Sequence, residues 1–214
     1  MKILLIGKGR MSIEFKKLYS NEIVDNFSSK EEFIDYDNLD GVIDFSYPEL
    51  SISSANYCLK HHIPLVIGTT NLTDKQLQII KDISKKIPIC LDSNFSLGIL
   101  KLKKCIDSLS SCQFDKIIIR EYHHVDKKDS PSGTALSLKK YLNKLFLNSI
   151  EIMSFREGNI CGMHSIEFIN KGESIILTHD AKSRSIFASG AYEALKILKN
   201  KNKGFFNFGE IING

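Results

Sequence analysis

The sequence has no apolar run long enough to cross a bilayer, no internal repeat and no low-complexity linker. We therefore expect neither a membrane-spanning helix nor a repeat architecture. The five cysteines are odd in number and widely spaced, with no C-x-x-C pair. This pattern predicts buried free thiols in a reducing cytoplasm rather than a disulfide framework or a metal cage. The first apolar run is short and is followed at once by glycine and charge, which indicates a strand and not a signal peptide.

The composition is that of an ordinary globular chain of 214 residues, with 43% hydrophobic and 25% charged residues. The net charge of +4 comes from scattered lysines rather than from one basic block. A solvated lysine-rich surface explains this charge better than nucleic-acid binding does, since no basic-aromatic motif accompanies it.

The first half of the chain alternates apolar runs with helical periodicity. Five short strands are predicted, at 2–6, 22–27, 41–46, 63–68 and 87–92, with amphipathic helices between them. Short strand–helix connections favour a parallel sheet with helices on both faces. The sequence therefore predicts an N-terminal Rossmann-like α/β domain.

The rhythm changes after residue 96. A long strand at 115–124 precedes a helix at about 133–147, and three strand-like segments follow at 151–155, 161–169 and 174–180. The last helix is predicted at 185–198, and the tail GFFNFGEII has strand character. These segments predict a second α+β domain built on a mixed, mostly antiparallel sheet.

A glycine-rich turn follows the first strand. Gly7, Gly9 and Ser12 give the spacing G-x-G-x-x-S before a helix, which is typical of dinucleotide binding except for the serine. A plain β–α turn with glycines for geometry alone is the alternative. Asp25, near the end of the second strand, would hold a ribose hydroxyl, whereas three nearby cations would favour a 2′-phosphate: Lys8, Arg10 and Lys30. NADH and NADPH both remain open.

The stretch EYHHVDKKDSPSGTA (121–135) brings titratable and cationic residues next to a predicted helix start. Ser130 and Pro131 suit an N-cap and a first turn, and Ser132, Gly133 and Thr134 would supply free N–H groups and hydroxyls for a carboxylate. The residues just upstream add proton-donating or cationic groups: His123, His124, Lys127 and Lys128.

Each part of this stretch also has a structural interpretation. A His-His pair at a strand end is more often structural or solvated, and a Lys-Lys pair is usually a solvated surface. A metal site has little support, because no acid or cysteine stands at zinc-ligand spacing. The combination with Pro-Ser-Gly-Thr is what favours a substrate with two carboxylates and a basic nitrogen.

EYHHVDKKDSPSGTA resembles the signature of the 4-hydroxy-tetrahydrodipicolinate reductases, also called dihydrodipicolinate reductases, of lysine and diaminopimelate synthesis. Similar segments cover nearly the whole chain in order: GKGRMS (7–12), VIDFSYPE (42–49), VIGTT (66–70), SNFSLGI (93–99), REGNICGMHSIEF (156–168) and LTHDAKSRSIFASGA (177–191). The segment between the Gly133 helix and Arg156 is shorter than in usual members of the family.

The resemblance implies a role for each matching residue. His123 would be the acid/base histidine and Lys127 the proton-donating lysine. His124, Gly133 and Thr134 would bind substrate. The residues implied to bind the cofactor are Gly7, Lys8, Gly9, Arg10, Met11, Ser12, Gly68, Thr69, Thr70, Ser93, Asn94 and Phe95. Arg156, Gly158 and His164 resemble a framework of the substrate domain, with a structural role.

The resemblance also implies a cytoplasmic homotetramer that reduces a cyclic dicarboxylate with NADH or NADPH and carries no metal. The dinucleotide-binding domain would span 1–96 and 186–214, and the substrate-binding and oligomerisation domain 97–185. Two alternatives stay open. A different imine reductase or dehydrogenase on the same fold would alter the signature, and a degenerate nucleotide-binding scaffold or sensor would lose His123 or Lys127.

Overall fold

The computed structural model describes residues 1–30 and 33–213 of the chain. A six-stranded parallel sheet consists of β1 Ile3–Ile6, β2 Ile23–Phe27, β3 Gly41–Asp44, β4 Leu65–Ile67, β5 Pro88–Leu91 and β10 Gly204–Phe206. The strand order is β10-β5-β4-β3-β1-β2. All six strands are short, and the four at the centre are mostly apolar and buried almost throughout.

Five helices pack with this sheet: α1 Arg10–Tyr19, α2 Pro48–His61, α3 Asp74–Ser84, α6 Ser185–Leu198 and α7 Phe208–Asn213. The sequence sets where they start. Pro48 stands in the first turn of α2, and Thr73 forms a capping box with Gln76 before α3. Helix α1 packs with α6, and α2 packs with α3.

A four-stranded sheet has the order β7-β6-β8-β9, with strands β6 Lys116–His123, β7 Ile150–Arg156, β8 Gly162–Asn170 and β9 Glu173–Ala181. Strand β6 pairs with β7 in parallel and with β8 antiparallel, and β8 pairs with β9 antiparallel. Helices α4 Leu97–Asp107 and α5 Gly133–Leu145 share one apolar core with this sheet. The predicted fold class, a parallel Rossmann-like sheet and a second mixed sheet, is confirmed.

The chain divides into two units. One comprises Met1–Phe95 with Ser185–Gly214, and the other comprises Ser96–Arg184. Within the described ranges, no helix combines the length and the apolarity needed to span a membrane.

Three local predictions were wrong in whole or in part. The strand character of the tail is confirmed for β10, but the following residues form helix α7. Helix α5 is capped by Ser132 and not by Ser130, since the Ser132 hydroxyl accepts the Ala135 N–H at 3.2 Å. All five cysteines are free, but only Cys58 and Cys90 are buried, whereas Cys105 and Cys112 are exposed.

Candidate active site

The glycine turn in the first unit has the geometry that a dinucleotide needs. Gly7 has φ +108°, and a Cβ there would stand 2.3 Å from the Phe45 carbonyl oxygen, so only glycine fits. Gly9 is the N-cap of α1, and apart from its own chain neighbours no heavy atom of the described residues lies within 4 Å of where its Cβ would stand. This open approach to a helix N-terminus fits a pyrophosphate.

The serine at the third motif position is explained by packing. Ser12 is 1% exposed, and its Oγ lies 3.1 Å from the place of a Cβ on Gly7. A small residue is what this contact between helix and turn requires. Lys8, Arg10 and Met11 complete the turn and the start of α1, with both cations exposed.

Among the described residues, Asp25 is the acid near the end of β2, and it already has hydrogen-bond partners. The Asp25 carboxylate accepts the Tyr36 hydroxyl at 2.5 Å and the Asn26 N–H at 2.6 Å. The Asn26 side-chain amide donates to the Gly7 carbonyl at 2.6 Å, which fixes the glycine turn from behind. Lys30, a candidate cation for a 2′-phosphate, lies three residues after the end of β2 and is exposed.

Asp44, at the end of β3, organises the loop that contains Gly68, Thr69 and Thr70. Its buried Oδ1 accepts from the Ser46 N–H at 2.9 Å and from the Thr69 hydroxyl at 3.2 Å. Burial raises the pKa of Asp44, and the surrounding serine hydroxyls oppose that rise. A Cβ on Gly68 would stand 2.5 Å from the Phe45 ring, so a larger residue at this position would force that ring to shift.

The loop of Ser93, Asn94 and Phe95 follows β5. Asp92 holds it by accepting the Asn94 N–H at 3.2 Å and the Phe208 N–H at 3.1 Å. The Phe95 ring is 2% exposed and packs on Phe208 with ring centroids 5.2 Å apart. Phe95 therefore shapes this loop from the core, whereas Ser93 is exposed.

In the second unit, His123 ends β6 and is paired with Glu121 on the same strand face. The Glu121 side chain is 0% exposed, and its Oε2 accepts from His123 Nδ1. Burial would raise the pKa of Glu121, but hydrogen bonds from Ser154 and Arg156 and the charges around it outweigh that effect and lower the pKa. Glu121 is therefore an ionised acceptor, and His123 Nδ1 carries the hydrogen.

Burial lowers the pKa of His123, and the opposing charge of Glu121 offsets only part of that effect. The imidazole is therefore neutral at pH 7, with Nδ1 protonated and Nε2 available as a proton acceptor. Nε2 lies 3.1 Å from where a Cβ on Gly162 would stand, so glycine at that position leaves room beside it.

Lys127 lies in the loop between β6 and α5. Its Nζ contacts Asp129 Oδ1 at 2.8 Å, and its backbone N–H donates to the His124 carbonyl at 3.1 Å. Burial raises the pKa of Asp129, but the Lys127 ammonium and the Gly133 N–H outweigh it and lower the pKa. A carboxylate of the protein itself thus sits between the lysine and the first amide of α5, as expected for an anion site.

Gly133 and Thr134 form the first turn of α5, behind the cap at Ser132. The Ser132 hydroxyl also pairs with His164 Nε2 at 3.2 Å. Burial, followed by the charge of His123, lowers the pKa of His164 to about 3, so this imidazole is neutral. His164 therefore supports the cap, and the framework role that the resemblance implies for it stays a prediction.

Glu121, His123 and His164 offer ligand-type atoms within 4.8 Å of one another. Glu121 is engaged with His123, Ser132 and Arg156, and His164 Nε2 pairs with the Ser132 hydroxyl, whereas His164 Nδ1 is buried without a partner among the described residues. We interpret the cluster as a hydrogen-bond network rather than as a cation site. Glu121 was not among the predicted site residues, although its position two residues before His123 on a strand was a usable signal.

Models of the dihydrodipicolinate reductase N-terminus and C-terminus match residues 13–95 and 98–212. A 4-hydroxy-tetrahydrodipicolinate reductase from Thermosipho africanus (strain TCF52B) is 39% identical over 99% of this chain and 98% of that relative. One from Wigglesworthia glossinidia brevipalpis is 42% identical over 83% of this chain and 69% of that relative. The Thermosipho relative therefore has nearly the same short length.

Among solved structures, a dipicolinate-bound dihydrodipicolinate reductase from Paenisporosarcina sp. TG-14 is similar with a TM-score of 0.76. The similarity covers 97% of each chain at 23% sequence identity, so it bears on the fold alone.

Proposed function

The chain belongs to the dihydrodipicolinate reductase family, and we propose that it reduces 4-hydroxy-tetrahydrodipicolinate to tetrahydrodipicolinate for lysine and diaminopimelate synthesis. The observation that carries this proposal is the neutral His123 held by buried Glu121, beside Lys127 and an anion-binding helix start. The reaction adds one hydride and one proton and releases the 4-hydroxyl as water. Because the substrate is a dicarboxylate, the protein must bind two carboxylates, and because a proton is taken up and water is released, it must also transfer protons.

The signature residues divide these tasks. The substrate is a dicarboxylate, and one carboxylate would replace Asp129 at the N-terminus of α5, on Gly133 and Thr134. Lys127 would then face the substrate and donate a proton, while His123 Nε2 accepts or returns one. His124 would add a contact to the substrate. As electron density moves onto the ring nitrogen, the Lys127 ammonium stabilises it.

The first unit would hold a nicotinamide cofactor, which supplies the hydride when bound. The open space at Gly9 and the fixed turn at Gly7 suit its pyrophosphate. The loops at 68–70 and 93–95 would line the nicotinamide and its ribose.

We propose that both NADH and NADPH are accepted, with NADPH favoured. Asp25 already accepts two hydrogen bonds, and Lys8, Arg10 and Lys30 are exposed near the end of β2. The ratio of kcat/KM for the two cofactors tests this. Lys30→Ala is expected to lower kcat/KM for NADPH and to leave that for NADH unchanged.

We also propose that the chain is a homotetramer assembled through the second sheet, in the cytoplasm. One face of that sheet packs on α4 and α5, and the other carries Met153 and Ile176, which are 37% and 58% exposed. Light scattering tests the mass, and Ile176→Glu is expected to yield smaller species. Five free cysteines suit a reducing compartment.

The decisive experiment follows absorbance at 340 nm with NADH or NADPH and substrate made in situ by the preceding synthase. Substrate-dependent oxidation is expected. Cofactor binding by fluorescence without oxidation would contradict the proposal and favour a degenerate or redirected enzyme.

A further inference from the structure

We propose that Glu121 is a positioning residue that sets the tautomer of His123 and ties it to both the anion-binding turn and the Lys127 loop. The inference rests on the proposed acid/base role of His123. Its basis is a single buried carboxylate whose two oxygens have different partners.

Oε2 of Glu121 accepts from His123 Nδ1. The two side chains lie two residues apart on β6 and so share one face of the sheet, with Glu121 0% exposed. A carboxylate can only accept, so the hydrogen of the neutral imidazole is held on Nδ1 and the lone pair on Nε2. Without Glu121, either nitrogen of the imidazole could carry the hydrogen.

Oε1 of Glu121 binds the substrate side of the unit. It accepts the Ser132 N–H at 3.2 Å, directly before the first turn of α5. It also accepts from Arg156 Nη2 at 3.0 Å, and that guanidinium donates to the Asp129 carbonyl at 2.6 Å and the Lys127 carbonyl at 3.3 Å. One carboxylate therefore fixes the positions of the histidine, the carboxylate-binding turn and the lysine loop.

The first test uses the unmodified protein and does not depend on turnover. Nitrogen-15 spectra of labelled histidine distinguish the two tautomers, and the chain has only six histidines. The His123 signals are assigned by their loss in His123→Asn. We expect a protonated Nδ1 and an unprotonated Nε2 at pH 7.5. A protonated Nε2 would overturn the proposal. A wild-type enzyme without turnover would instead refute only the proposed function.

The second test is Glu121→Gln, which keeps the shape but removes the charge and can donate to Nδ1. We expect kcat to fall by at least about 10-fold, in line with losses of groups that orient a catalytic histidine. The KM for the cofactor should stay unchanged. The pH inflection that belongs to His123 should move to lower pH, because the anion that raises its pKa is gone.

The matched control is Glu157→Gln. Glu157 is exposed, and its backbone N–H donates to the His123 carbonyl at 2.8 Å, so the variant removes the same charge nearby without touching the imidazole. Its kcat and pH profile should match the wild type. A Glu121→Gln protein with lowered stability but unchanged kcat and pH profile would show a merely structural role and overturn the proposal. If that variant does not fold, the tautomer measurement decides.

Discussion

Replacing Lys127 by Ala distinguishes a role in catalysis from a role in stability, because the loop that contains Lys127 is held through its backbone. The Lys127 carbonyl accepts from Arg156 Nε at 3.3 Å and its N–H donates to His124, and both contacts survive the substitution. The side chain loses one ion pair, to Asp129, whose side chain is 48% exposed. An ion pair this exposed contributes about 1 kcal/mol at most. Loss of a proton donor lowers kcat by roughly 10²–10⁴-fold, equivalent to about 3–5 kcal/mol.

The expected result is therefore a large fall in kcat with a shift of Tm of at most about 2–4 °C and an unchanged cofactor Kd. Lys128→Ala is the control, since it removes the same charge from the next, exposed residue. Rates come from absorbance at 340 nm with in situ substrate, cofactor Kd from fluorescence, and Tm from circular dichroism. Equal losses of turnover and cofactor affinity would refute the reasoning, because Lys127 would then support the fold.

Three further outcomes follow from contacts in the structure. Gly190→Ala would place a Cβ 1.7 Å from a backbone oxygen of the segment after β5, so little folded protein is expected on gel filtration, whereas Gly9→Ala should fold normally and weaken cofactor binding. Burial raises the pKa of Asp44 above its ordinary 3.8, so its contribution to stability is full below pH 3.8 and is lost as pH rises through the raised pKa. Asp44→Asn should therefore match the wild-type Tm near pH 4 and exceed it at pH 8, and a constant difference would contradict this. Asp129→Asn removes the carboxylate that occupies Lys127 and the first amide of α5, so the KM for substrate should fall several-fold, and a rise in KM would contradict the proposed substrate site.

The architecture could be predicted from the sequence because each strand is a short apolar run and each helix carries its own start signal, as at Pro48 and Thr73. Helix α7 in the tail was not predicted, although Asn207 and Glu210 form reciprocal caps, with the Glu210 N–H donating to Asn207 Oδ1 at 3.0 Å. An asparagine followed three residues later by a glutamate is a helix-start signal, but the aromatic residues before Asn207 favoured a strand for the whole tail.

The cap of α5 could not be chosen from local sequence. Ser130 precedes a proline, which is a strong helix-start signal, whereas Ser132 precedes Gly133. The choice falls on Ser132 because its N–H donates to buried Glu121 on β6 and its hydroxyl pairs with His164 on β8. Tertiary hydrogen bonds therefore decided the helix start.

One face of β6 carries apolar side chains along the middle of the strand and the ionisable side chains of the site at its end. Ile117 and Ile119 point into the apolar core with α4 and α5, and Glu121 and His123 continue the same row at the end of the strand. Because side chains alternate, Tyr122 faces the other way and stacks on Phe155 at 4.6 Å. A slip of one residue in pairing would bury the tyrosine and expose the carboxylate and the imidazole together. The register that the isoleucines enforce therefore also buries Glu121, and this burial lets one carboxylate control the histidine.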